Sequence, residues 1–193
     1  QGNKMKKILL ATIFSVFYLT SVSAEIGVNV GVSGQVGLFA ASGQENVGGA
    51  TDTASENKGS EHGEAGWGSI FIEKTLGDRL AIGVDYVPSS LETETTETGK
   101  QSQKSGVVNN TVQIDFEDMT TLYLVGKISD NFYLRAGMVE VDVITNENLG
   151  TGSAYGNTSL DGSMFGVGYD RTTDSGMFFR VEGNVMEFDG ASL

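Results

Sequence analysis

Apolar and polar residues alternate along most of this chain, most sharply around one short turn. In residues 80–86, Leu80, Ile82, Val84 and Tyr86 fall on one face and Ala81, Gly83 and Asp85 on the other. A period of two is the strand period. Just upstream, Ile70 and Ile72 share a side opposite Ser69, Glu73 and Thr75. Gly77-Asp78 between the halves suits a tight hairpin turn. One face is apolar and the other small or charged. A soluble sheet buries such an apolar face against a second layer; a transmembrane barrel turns it to lipid and gives the charges to its lumen.

The same reading predicts further strands. Residues 26–41 place Ile26, Val28, Val30, Val32, Val36 and Leu38 opposite Gly27, Asn29, Gly31, Ser33, Gln35 and Gly37. Residues 65–76 and 79–88 are the hairpin. A fourth strand lies within 107–128, with Leu122, Leu124 and Ile128 outward and Thr121, Tyr123 and Lys127 inward. Val112, Ile114 and Phe116 keep the outward parity and extend it. A fifth strand starts at Phe132, with Leu134, Ala136 and Met138 outward and Tyr133, Arg135 and Gly137 inward. From Val139 the apolar positions change parity, which a β-bulge or emergence into water would produce. Strands over 160–170 and about 177–186 follow, the first with Phe165, Val167 and Tyr169 outward, the second with Phe179, Val181 and Val185 outward.

The connections alternate in length. Residues 42–64, 89–106 and 146–159 are long, polar and without period; 77–78, 129–131 and 172–176 are short. Bacterial outer-membrane barrels have long external loops and short periplasmic turns. The expected fold is therefore all-β, an antiparallel up-and-down transmembrane barrel. Such barrels have an even strand count, so eight strands are expected with seven present, the last falling beyond residue 193. A ring of seven would leave two edges unpaired.

Residues 5–24 read as a secretory signal peptide: Lys6 and Lys7, an apolar run over 8–19, and Val22-Ser23-Ala24 before a cleavage point at Glu25. Residues 1–4 form an upstream extension, and 25–193 the barrel domain. The chain has no Cys, so neither disulfides nor thiolate sites are available. Gly is abundant, 27 residues against 1 Pro. Gly weakens a strand unless backbones approach closely or the sheet bends, and a narrow barrel interior supplies that reason. The net charge of −13 argues against nucleic acid as a partner.

Segments such as YLRAG (133–137), MFGVGYD (164–170) and GVDYVP (83–88), with the signal peptide and alternating connections, resemble the small outer-membrane β-barrel superfamily. That group includes the opacity proteins, the OmpA barrel, OmpX and porin-family proteins. The resemblance implies Gram-negative outer-membrane insertion, exposed loops and a structural or surface-interaction role. It implies lipid, lipopolysaccharide and the barrel insertion machinery as partners, and a monomer. The C-terminal aromatic read by that machinery is absent here.

The inward positions collect Glu73, Asp85 and Glu182 against Lys127, Arg135 and Arg180. Unpaired charges are costly in a narrow lumen, so they are expected to form an ionic network. An eight-stranded barrel is just wide enough for side chains to fill. A structural barrel with a filled lumen is the first expectation, a narrow porin-like channel the second. A secreted barrel binding a small apolar ligand is the third, and the polar inward set speaks against it. Trp67, Tyr86, Tyr123, Phe132, Tyr133 and Tyr169 are expected at strand ends as an aromatic girdle. His62, the one histidine, lies in Glu61-His62-Gly63-Glu64 with no serine placed to meet it. No catalytic, metal or cofactor site is expected.

Overall fold

The computed structural model describes residues 9–18, 27–47, 55–102, 106–149, 156–175 and 177–190. Ten strands run β1 (Leu9–Tyr18), β2 (Val28–Val47), β3 (Ser55–Leu76), β4 (Leu80–Tyr86), β5 (Leu91–Glu92), β6 (Thr96–Ser102), β7 (Gly106–Lys127), β8 (Phe132–Asn148), β9 (Thr158–Thr172) and β10 (Phe178–Phe188). Every pairing is antiparallel, and β1, β2, β3, β4, β7, β8, β9 and β10 form a closed ring. The short β5 and β6 add to the long β7 beyond that ring.

The expected gap between the first and last strands is occupied. Residues 9–18, read above as the apolar core of a leader, pair with β10 from Leu9↔Phe188 to Tyr18↔Phe179. They pair with β2 from Leu10↔Ala40 to Tyr18↔Val32. A run rich in aliphatic and aromatic residues has strand propensity, and two bare ladder edges can accept it on both sides.

Two of the three expected long loops are largely strand. Residues 42–47 pair with 55–60, so the β2–β3 hairpin runs far past its apolar part. His62 lies on this stretch of β3, opposite Ala40, and is exposed. Residues 96–102 fold back on 106–112. These segments lack amphipathic period, and the backbone ladder pairs them all the same.

At the short-turn end, Gly77 carries φ +71° with open space where a Cβ would sit. A left-handed conformation costs a side-chain-bearing residue about 1–2 kcal/mol. Gly77→Ala is expected to lose about 1 kcal/mol, read as a lower urea midpoint of the refolded protein. Gly34→Ala, without positive φ and equally uncrowded, should show no comparable loss.

The parity change near Val139 has a clear cause. β8 alternates without a break: Tyr133, Arg135, Val139, Val141 and Val143 are buried, while Leu134, Met138, Glu140 and Asp142 are exposed. The strand keeps its orientation and its chemistry inverts. Towards the short turns the outside is apolar and the inside polar; towards the long loops the outside is acidic and the inside apolar. β10 inverts likewise: Val185 is exposed and Glu182 buried, then Glu187 is exposed and Phe188 buried. The bulge sits on the neighbour instead. β7 shifts register against β8 between Glu117 and Thr120, and Asp118 there has φ +52°. The extra residue reverses parity, so Phe116 packs against the core while Leu122 stays exposed. Phe116 and Leu122 therefore do not share a face as expected. Tyr86 donates its hydroxyl proton to the Asp118 carboxylate, and the Val87 N–H reaches the Met119 carbonyl at 2.9 Å, which ties the bulge to β4.

Candidate functional site

Strand alternation delivers the inward polar residues to the middle of the ring, where they form a closed circuit. Arg180 on β10 grips Glu73 on β3 with two bonds, at 2.7 and 2.9 Å. Glu73 also accepts from the Tyr123 hydroxyl on β7 at 3.4 Å and from the Asn29 amide on β2 at 3.1 Å. The Arg135 guanidinium on β8 lies 3.7 Å over the Tyr123 ring. Arg135 donates to Glu182 on β10 at 3.1 Å, and Glu182 accepts from the Tyr133 hydroxyl at 2.8 Å. Arg180 then sits 5.0 Å over the Tyr133 ring and closes the circuit. Two-point arginine–carboxylate pairs and cation–π contacts are strongest where water is excluded.

Asp85 joins from β4. It lies 3.8 Å from Arg135 and accepts the Ser69 hydroxyl at 3.0 Å. Ser33, Ser69 and Gln35 continue the network along β2 and β3, with bonds of 2.6 to 3.1 Å. Lys127, nearer the short turns and partly exposed, pairs with Asp170 at 3.1 Å.

Asp170 is the charge that sequence reasoning missed. It is buried on β9, 3.9 Å from the Arg180 Nε. Its signal was the same alternation, since Tyr169 beside it was placed outward. Among the described residues its addition makes four lumen carboxylates against three cations.

The aromatic expectation is corrected in part. Tyr123 and Tyr133 are buried lumen residues, 2% and 0% exposed. The rule that puts aromatics at strand ends is overridden here by their inward parity and by carboxylates within reach of their hydroxyls. Trp67 also faces inward and packs against the apolar core. Phe132 and Tyr169 do lie together outside the ring near the short turns, edge to face at 5.3 Å, and Tyr86 is at the bulge.

The two buried tyrosines depend on glycines directly across the ladder. Tyr123 pairs with Gly83 and Tyr133 with Gly168. A Cβ at Gly83 would fall 2.4 Å from the Tyr123 ring, and one at Gly168 2.2 Å from the Tyr133 ring. Each ring lies across a strand with no side chain there, the arrangement that lets an aromatic cover a strand glycine.

Two cavities flank the circuit. One of about 260 Å³ opens at the short-turn end beside Glu73, Lys127, Asp170 and Arg180. The other, about 360 Å³, lies at the long-loop end among Phe39, Trp67, Phe116, Met119, Met186 and Phe188. Among the described residues no cluster of His, Asp or Glu has the arrangement of a metal site.

No protein-family model matches the chain, and no curated protein does. Among solved structures, the chain is similar to a FadL homologue of Pseudomonas aeruginosa, at 9% identity and a TM-score of 0.29, over 95% of this chain and 89% of that one. It is also similar to the toluene transporter TodX of Pseudomonas putida, at 8% identity and a TM-score of 0.24, over 98% and 90%. At such scores neither likeness bears on what this chain does.

Proposed function

We propose that this chain is an outer-membrane barrel with a structural or surface-interaction role, sealed across its middle by side chains. The observation that carries the reading is the inversion of chemistry along single strands. Leu124, Leu134, Phe165 and Val167 are exposed around a lumen holding seven charged residues, and lipid is the surrounding that suits both. Past that belt Glu140, Asp142, Asp161 and Glu187 are exposed over an apolar interior, which is the pattern of a barrel wall in water. The acidic, water-facing end then carries the contacts with the outside. The ion-paired circuit supports a plug, so planar-bilayer recordings should show no conductance steps; regular steps would make it a channel.

The membrane part has a direct test. Leu134→Arg places a charge on the proposed lipid face and is expected to lose about 2–4 kcal/mol of stability in lipid vesicles. Asp142→Arg, on the water-facing part, should stay within about 0.5 kcal/mol. The refolded full chain should also migrate differently on gels before and after boiling. A neutral Leu134→Arg in a chain that stays soluble without detergent would sink the reading. Mass spectrometry of the inserted protein decides the role of residues 9–18: a chain beginning at Glu25 makes them a removed leader, and one retaining Leu9 makes them a barrel strand.

A further inference from the structure

We infer that the cavity at the long-loop end is a binding site for a small, uncharged apolar molecule. On every strand that serves both regions, the cavity residue is nearer the long loops than the lumen residue. Met119 precedes Tyr123 on β7, Val141 follows Arg135 on β8, Met186 follows Glu182 on β10 and Trp67 precedes Glu73 on β3. The cavity thus sits above the ionic circuit and opens away from it, as a site for holding a molecule and not for passing one.

An eight-stranded barrel normally fills its own interior. This one leaves about 360 Å³ lined by aromatic and methionine side chains. An apolar cavity of about 150 Å³ is enough to hold benzene, so this space suits a fused two-ring molecule. Small-molecule sites are mostly apolar hollows, and Phe39, Phe116, Met119, Met186 and Phe188 give this one such a lining. Trp67 lines the cavity with its ring, and its indole N–H is closed off from the accessible space. Among the described residues the charged lining residues are Glu64 and Glu92, and no lysine or arginine lines the cavity. A carboxylate ligand would meet repulsion there. The segment around Leu91, paired to Phe116, forms part of the rim.

Trp67 is the single tryptophan of the chain, so its emission reports on the cavity alone. Naphthalene titrated into the refolded full chain in detergent should give a saturable change. 2-Naphthoate should bind about tenfold more weakly, or about 1.4 kcal/mol. Val141→Phe should abolish the saturable change while leaving the gel shift on boiling intact. If that variant fails to fold, Ala65→Phe fills the cavity from β3. A non-saturating change equal to that of a free tryptophan analogue in the same micelles overturns the site. 2-Naphthoate binding as tightly as naphthalene overturns the charge argument.

Discussion

Glu73→Ala is expected to destabilise the folded barrel by about 3–5 kcal/mol, the scale for removing one partner of a buried ion pair. Glu73 is 1% exposed and accepts four hydrogen bonds. Its loss strands the Arg180 guanidinium, whose next carboxylate, Asp170, is 3.9 Å away and already paired with Lys127. Tyr123 and Asn29 lose acceptors at the same moment. The size of the effect comes from the charge left behind and not from the strength of the pair itself. Glu73→Leu combined with Arg180→Leu should therefore recover most of the loss, because replacing both members by apolar groups is often neutral. Urea titration of the refolded protein, followed by Trp67 emission, measures both. A single variant within about 1 kcal/mol of the parent would mean that water reaches the lumen and screens the circuit.

Gly168→Val should be as damaging by a different route. A Cβ at residue 168 would stand 2.2 Å from the Tyr133 ring and 2.3 Å from its hydroxyl. An exposed tyrosine would swing aside. This ring is 0% exposed, bonded to Glu182 at 2.8 Å and covered by Arg180. Moving it breaks a hydrogen bond to a buried charge, so overpacking and that loss together come to about 3–5 kcal/mol. Tyr133→Ala in the same chain removes the clash, and the double variant should lose clearly less than the sum of the two singles. Additive losses would mean that ring and glycine do not meet. Gly34→Val is the control: nothing lies within 4 Å of its Cβ position, and urea titration should find it near neutral.

How much of this was legible beforehand differs element by element. The β3–β4 hairpin was plain because Leu80, Ile82 and Val84 alternate with small or acidic residues and Gly77-Asp78 breaks the run. Six lumen charges were readable from parity alone, and Asp170 was readable by the same rule. The parity change at Val139 was visible, but its cause was not, since a strand leaving lipid and a bulged strand leave the same trace. The polar ends of the β2–β3 hairpin carried no trace, because ladder bonds use backbone that every residue shares.

The sequence by itself determined the amphipathic parts of seven strands, their short turns and which side chains face in around the ionic circuit, because each depends on residues within one or two positions of each other. Only the tertiary structure decided what the inward residues do. Tyr133 stands across from Gly168, Glu73 meets Arg180 from the far side of the ring, and residues 9–18 fill the seam between β2 and β10. These contacts join residues tens to more than a hundred positions apart. Register and closure bring them together, and neither leaves a mark in local sequence.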